Sequence, residues 1–147
     1  MLGIVAARMI SPYPAELIIK NGVSIASNLI FSIKYLSNVQ HSDNELSELL
    51  TSADLLEDIG IIKSFIEEKK LINESTTVSL CLDNLNQSLK QLEENINSIT
   101  MKIENHKKLW FGYFRSYNIS EEKKQIPRLV KQMKHRFELL IEISSVI

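Results

Sequence analysis

Apolar residues between positions 78 and 103 recur at alternating steps of three and four, which predicts one amphipathic helix with a narrow apolar stripe. The residues between them are mostly polar, and neither Pro nor Gly interrupts the run. About 26 residues would give a helix roughly 40 Å long. This stripe must pack against other helices of the chain or against a second chain. We call its seven residues the seam: Leu82, Leu85, Leu89, Leu92, Ile96, Ile99 and Ile103.

Three further stretches carry a helical pattern. Residues 15–39 follow a Pro-containing breaker at residues 11–14 and are apolar over much of the helix circumference. Residues 46–70 predict one continuous second helix, capped by Ser42 or Asp43, and we expect Gly60 to mark a close helix contact there. Ser120 is the expected N-cap of the last helix.

The last helix contains a proline. We expect Pro127 to interrupt or kink this helix, unless regular helix begins only near Gln125 and the proline falls in its first turn. After it, apolar residues again recur at steps of three and four up to residue 147. The last helix therefore offers a second apolar stripe, comparable to the seam.

Four helices with polar connections predict an all-α, antiparallel up-down four-helix bundle that forms a single domain over residues 1–147. A short apolar arm, residues 1–10, would precede it, and an aromatic-rich connection, residues 109–114, would precede the last helix. A long parallel coiled coil would need neither the apolar first helix nor the aromatic cluster. We therefore favour the bundle, either as a whole protein or as the N-terminal module of a longer receptor or effector.

The amino-acid composition bears on the number of domains and on the cellular compartment. The chain has 147 residues, 44% of them apolar, with four Gly and three Pro, which suits one helical domain with its own core. The single cysteine, Cys81, cannot form an intramolecular disulfide, so we expect a reducing, cytoplasmic location. No 18-residue window of the first helix is free of polar side chains, so we expect a core helix or one that transfers into lipid on demand.

Charge is distributed unevenly along the chain. Residues 1–100 carry 7 basic and 13 acidic side chains, whereas residues 101–147 carry 10 basic and 5 acidic ones. Such a basic segment is either a solvated face or a surface that binds anionic lipid. Nucleic acid is not expected as a partner, because no helix-turn-helix signal is present and the remaining chain is acidic. The candidate lipid-binding residues are Lys102, Lys107, Lys108, Lys123, Lys124, Arg128, Lys131, Lys134 and Arg136.

The sequence contains no signature of catalysis. It has no Gly-rich phosphate loop, no Cys/His cluster with metal-ligand spacing and no nucleophile elbow. The three histidines lie far apart, and neighbouring acidic residues such as Glu67 and Glu68 are typical of solvated helix faces. We therefore predict a protein that is not an enzyme and that needs no metal or cofactor.

Helix order, apolar spacing and a short segment at residues 3–6 together form a layout that extends over roughly residues 3–145. The residues that carry it are Cys81, Leu82, Leu85, Leu89 and Leu92, the aromatic stretch 109–114, and Leu129, Met133, Phe137 and Leu140. This layout resembles the HeLo and HeLo-like superfamily of cell-death domains. That superfamily includes the N-terminal domains of fungal NLR-type receptors and is similar to the four-helix bundle of the mixed-lineage kinase domain-like necroptosis effector.

The resemblance implies a membrane-permeabilising effector that is recruited from the cytoplasm and oligomerises when a C-terminal regulatory region releases it. The basic residues would contact anionic head groups. The alternative is a helical interaction module that self-associates through the seam without touching lipid. In the first reading the membrane-inserting residues would be Leu2, Ile4, Val5, Ile18, Ile25, Leu29 and Ile33.

Overall fold

A computed structural model of the chain describes residues 15–39, 43–51, 54–69, 76–108 and 117–146. Within these ranges the chain is all-α and contains no strand. The helices are α1 (Ala15–Asn38), α2 (Asn44–Thr51), α3 (Leu55–Lys69), α4 (Thr76–Lys108) and α5 (Ser120–Val146). The apolar arm, His41 and the aromatic stretch 109–114 lie outside the described residues.

Helix α4 is the centre of the fold and packs against both α1 and α5. It begins two residues before the predicted stretch and ends five residues after it. All seven seam side chains are buried, none of them more than 2% exposed. Because other helices of the same chain cover the seam, a contact between two chains through these residues would require the helices to separate.

Side-chain contacts fix the relative direction of α1 and α4. Near the start of both helices, the Asn86 amide nitrogen donates to the Ile18 carbonyl oxygen at 2.9 Å. Near the end of both, the Tyr35 hydroxyl donates to a carboxylate oxygen of Glu104. The two helices therefore run in the same direction.

Helices α4 and α5 run antiparallel. The Asn95 amide nitrogen donates to the carbonyl of Glu122 at 2.9 Å, in the first turn of α5. At the other end of the interface, Arg136 donates to the Ser88 hydroxyl at 2.8 Å. Each of these contacts joins a later part of one helix to an earlier part of the other.

The predicted second helix is two helices, so the prediction of a continuous segment 46–70 is wrong. Asp54 follows the gap after α2 with φ of 52°, in the left-handed region that ends a helix. The apolar period continues across the break, which is why the pattern did not reveal it. Thr51, the last residue of α2, donates its hydroxyl to the Ser47 carbonyl, a side-chain hydrogen bond that competes with the backbone hydrogen bonds of a helix. Asp43 caps α2, since its carboxylate accepts from the backbone N–H of Leu46 at 2.9 Å.

Two expectations for the last helix are corrected. Asn118 is the capping residue in place of Ser120, because its side-chain oxygen accepts from the Ser120 backbone N–H at 3.1 Å. Pro127 lies inside a helix that is continuous over Ser120–Val146, so the proline does not interrupt it, and a kink at this residue stays a prediction. Buried Ile126 and Leu129 on either side of the exposed proline hold the helix against the core despite the missing backbone donor.

The glycine at a close helix contact is Gly22, and the expectation for Gly60 is wrong. A Cβ added to Gly22 would lie 2.6 Å from the Asn86 side-chain oxygen and 3.2 Å from the Ile66 side chain. A Cβ added to Gly60 would meet no atom within 4 Å. Gly22 therefore allows α1 to approach both α4 and the end of α3.

Candidate functional site

Ion pairs within the chain occupy three of the nine predicted lipid-binding residues. The Lys102 ammonium lies 2.6 Å from the Glu122 carboxylate, which joins α4 to α5. Lys134 on α5 lies 3.3 Å from Asp58 on α3. Their charges are therefore partly neutralised before any ligand arrives.

Lys123 is the third such residue and the most constrained of them. Its ammonium donates to Asp43 at 2.8 Å and lies 2.9 Å from Glu45, so it joins α5 to the start of α2. These hydrogen bonds, together with the two carboxylate charges, outweigh the opposing effect of burial and raise the pKa of Lys123 above its usual value. Lys123 is a structural cation in the folded chain.

Glu122 is held ionised at the α4–α5 interface. Burial alone would raise the pKa of this carboxyl group, but hydrogen bonds from Lys102, from the Glu122 backbone and from Ser98 outweigh it and lower the pKa. Ser98 donates at 3.0 Å. The Lys102–Glu122 pair thus serves helix packing.

The two arginines of the predicted set also make contacts within the protein. Arg136 donates to the Asn84 carbonyl and to the Ser88 hydroxyl, each at 2.8 Å, and so joins α5 to α4. Arg128 donates to the Gln125 side chain at 2.7 Å, three residues earlier on the same helix. The Arg128 contact is local to α5, whereas the Arg136 contacts connect two helices.

Four predicted lipid-binding residues remain exposed and make no hydrogen bond or ion pair with other described residues: Lys107, Lys108, Lys124 and Lys131. The first two lie in the last turn of α4. The other two lie on α5, two helical turns apart, and Lys131 borders the groove described below. The structure therefore divides the basic set that the sequence treats as one surface.

The predicted membrane-inserting residues of α1 face mainly inward. Leu29 and Ile33 are fully buried, Ile18 is nearly so, and Ile25 is partly buried. Leu2, Ile4 and Val5 lie outside the described residues. Among the described helices, Glu16–Asn38 is long and apolar enough to cross a membrane by length and composition, a test that a core helix of a soluble protein also passes. Insertion would require α1 to leave α4.

An exposed apolar surface on α1 and α4 was missed by the sequence reasoning. Phe31 is 70% exposed and stacks on Tyr35 with ring centroids 6.4 Å apart. The Tyr35–Glu104 hydrogen bond places these two residues at about the same height along α1 and α4. Met101, which is 62% exposed, lies one turn before Glu104 and is therefore at about the height of Phe31, one turn before Tyr35. We call Phe31, Tyr35 and Met101 the apolar patch. The apolar pattern of the sequence did not reveal this patch, because residues that follow the pattern are assigned to the core whether or not another helix covers them.

A groove separates α5 from α2 and α3. It has a volume of about 510 Å³ and presents mostly apolar surface. Leu55 and Ile126 in its lining are buried, whereas the charged lining residues are exposed or half-buried. The described lining residues are Leu49, Leu55, Ile126, Pro127, Val130, Lys131, Lys134, His135 and Glu138.

The described residues contain no cluster of His, Cys, Asp or Glu that could hold a metal ion. Cys81 is a buried free thiol on α4. His106 packs edge-on against the Tyr117 ring at 5.1 Å, and His135 lies at the groove. Surface chemistry is therefore the main guide to function in this part of the chain.

The comparisons with known proteins give a distant sequence similarity. No protein-family model matches the chain, and no solved structure matches it. The chain is similar to uncharacterized protein L717 of Acanthamoeba polyphaga mimivirus, with 28% identity over 102 residues. The match covers 67% of this chain but only 50% of the viral protein, so the chain spans about half the length of that relative.

Proposed function

We propose that this chain is a membrane-targeting, membrane-permeabilising effector domain of cell death or defence, of the HeLo-like kind. In the resting state it is cytoplasmic and is held inactive by a C-terminal regulatory region. On activation it is recruited to anionic lipid, oligomerises and inserts its N-terminal apolar segment. It works without an enzymatic step.

The apolar patch beside exposed lysines is the observation that supports this proposal. Lys107 and Lys108 begin about one helical turn beyond Glu104, whose carboxylate bonds Tyr35. Lys34 is exposed next to Tyr35 on α1. Aromatic rings and lysine stems enter the interfacial layer while the ammonium groups stay at the head groups. Near an anionic leaflet each such lysine contributes about 1 kcal/mol.

Helix α1 is the proposed inserting element. Leu29 and Ile33 would exchange the apolar core for lipid, so their transfer costs little hydrophobic free energy. The polar contact between Asn86 and the Ile18 carbonyl would be lost on separation, and the Asn86 side-chain oxygen already has no hydrogen-bond partner. Exposed Lys20 and Lys34 would extend toward the interfaces.

The resting form that we propose is an up-down four-helix bundle in which α2 and α3 together serve as the second helix. The opposite directions of α4 and α5, and the position of Ile66 beside Gly22, support this arrangement. An interaction module that oligomerises through the seam is the less supported alternative, because the seam is buried within one chain.

Dye release from liposomes tests the proposal. We expect the purified chain to release dye from vesicles that contain anionic lipid and to leave neutral vesicles intact. Met101→Ser and the double variant Lys107→Glu, Lys108→Glu should lower vesicle binding and leakage severalfold, because they remove patch area or attractive charge. Leu80→Ser is the matched control for Met101, since Leu80 is 59% exposed on the same helix but lies six turns away.

Lys63→Glu combined with Lys90→Glu is the charge-matched control, because both residues lie outside the patch and outside the predicted basic set. If both double variants lose vesicle binding equally, net charge alone explains the loss. That result would contradict a defined docking face. A soluble oligomer that leaves anionic vesicles intact would favour the interaction module. In that case lipid would not be the partner.

A further inference from the structure

We propose that the groove between α5 and the α2–α3 pair binds a single-chain anionic amphiphile, such as a long-chain fatty acid. This proposal does not rest on membrane permeabilisation, since the ligand is one molecule taken from solution. The lining of the groove combines an apolar wall with cations at the rim.

The size and lining of the groove suit an acyl chain. Its volume of about 510 Å³ falls within the roughly 300–1,000 Å³ usual for small-molecule sites. The lining residues on α5 extend from Ile126 to Glu138, which corresponds to about 18 Å along the helix axis. The described apolar lining consists of Leu49, Leu55, Ile126, Pro127 and Val130, whose side chains carry no group that could hydrogen-bond a polar ligand body.

Charges at the rim select an anionic head group. Lys131 and His135 are exposed, lie one turn apart on α5, and make no hydrogen bond or ion pair with other described residues. Lys134 is partly neutralised by Asp58 at 3.3 Å. Glu138, the only acidic lining residue described, lies at the far end of the α5 wall. A carboxylate is therefore placed best near Lys131 and away from Glu138, with the tail passing Val130 and Ile126 and continuing over the opposite wall at Leu49 and Leu55.

The volume argues against a peptide helix as the occupant. A helix about 10 Å wide and as long as the α5 wall would occupy roughly 1,400 Å³, several times the space present. Most of such a helix would stay outside the groove. An acyl chain is narrow enough to lie within it along its whole length.

Titration with palmitate in vesicle-free buffer, below the concentration at which it forms micelles, tests the proposal. We expect saturable binding of one molecule per chain. Shorter fatty acids should bind more weakly, by roughly fourfold for each buried methylene removed. Hexadecanol, which has a chain of equal length and no charge, should bind at least tenfold more weakly.

Two variants locate the site. Lys131→Glu should weaken palmitate binding about tenfold, whereas Lys20→Glu, an equal charge change at an exposed position of α1, should not change it. Val130→Trp should abolish binding by filling the groove, and if that variant does not fold, Lys131→Glu still carries the test. Absence of saturable binding, equal weakening by both charge variants, or affinity independent of chain length would overturn the proposal. Because no vesicle is present, these results are separate from any failure of leakage.

Discussion

The two sides of α5 are held in different ways. On the side facing α4, the helix packs against a continuous 33-residue helix whose seam is buried. The Lys102–Glu122 ion pair and hydrogen bonds such as Arg136 to Ser88 supplement this apolar contact. On the side facing α2 and α3, ion pairs of Lys123 and Lys134 connect the helices beside a groove, and Phe65 meets Phe137 edge-on at 5.4 Å.

This difference separates a rigid side from a responsive one. Apolar burial is insensitive to salt, and its loss leaves a cavity, so the α4 side should define overall stability. Partly exposed ion pairs are screened by salt and contribute little each, so the α2–α3 side should respond to solution conditions and to ligands. The groove that we propose as a ligand site lies on this responsive side.

The largest expected effect tests the rigid side. Leu89→Ala removes a fully buried side chain from the middle of the seam and should lower the free energy of unfolding by about 2–5 kcal/mol. Leu80→Ala, on the exposed face of the same helix, should change it by less than about 0.5 kcal/mol. Urea denaturation followed by circular dichroism measures both. Similar losses in the two variants would mean that α4 is not the centre of the core.

The next largest effect is expected at the two described glycines, where substitution by alanine should change the free energy of unfolding in opposite directions. Gly22→Ala should lower the free energy of unfolding by about 1–3 kcal/mol, because the new methyl group would lie 2.6 Å from the Asn86 side-chain oxygen. Gly60→Ala should raise it by up to about 1 kcal/mol, because alanine favours the helix and its Cβ meets open space. The same denaturation measurement compares them.

A double-mutant cycle sharpens this comparison. In an Asn86→Ala background the oxygen that Gly22→Ala would meet is absent, and the nearest remaining atom is the Ile66 methyl carbon at 3.2 Å. The cost of Gly22→Ala should therefore fall by a measurable fraction. An unchanged cost would show that the close approach of α1 to α4 does not depend on the Asn86 side chain.

Local periodicity predicted the part of the fold that burial dominates. The seam residues could be predicted because a spacing of three and four places them on one buried face of a helix. All seven are buried in the structure. The break at Asp54 could not be predicted, because residues on both sides keep the same apolar period. The cap of the last helix was also predicted wrongly, because Asn118 and Ser120 are both suitable capping residues and lie two positions apart.

Contacts between distant residues explain why less of the candidate site was predicted. Lys123 and Asp43 are 80 positions apart, and no local pattern shows that one neutralises the other. The basic set could therefore be read as one surface from the sequence, although only Lys107, Lys108, Lys124 and Lys131 are exposed and make no contact of this kind with the described residues. Phe31 could be recognised as apolar but not as exposed, because the partners of α1 were unknown.

The smallest expected effect tests the responsive side. Lys123→Gln should lower the free energy of unfolding by no more than about 1 kcal/mol in low salt, through loss of the pairs to Asp43 and Glu45. Lys124→Gln is the control, because Lys124 is exposed and makes no such pair with the described residues. The difference between the two variants should shrink in 1 M salt, where the Debye length is about 3 Å.

The pH dependence of that difference has a definite sign. Since the pairs raise the pKa of Lys123 in the folded chain, their contribution is fully present below the usual lysine value near 10.5. It is lost as the pH rises through the higher folded value. The gap between Lys123→Gln and Lys124→Gln should therefore stay constant from pH 6 to about 9 and close above about 10.5. A gap that survives both strong alkali and high salt would mean that packing, and not charge, holds α5 to α2.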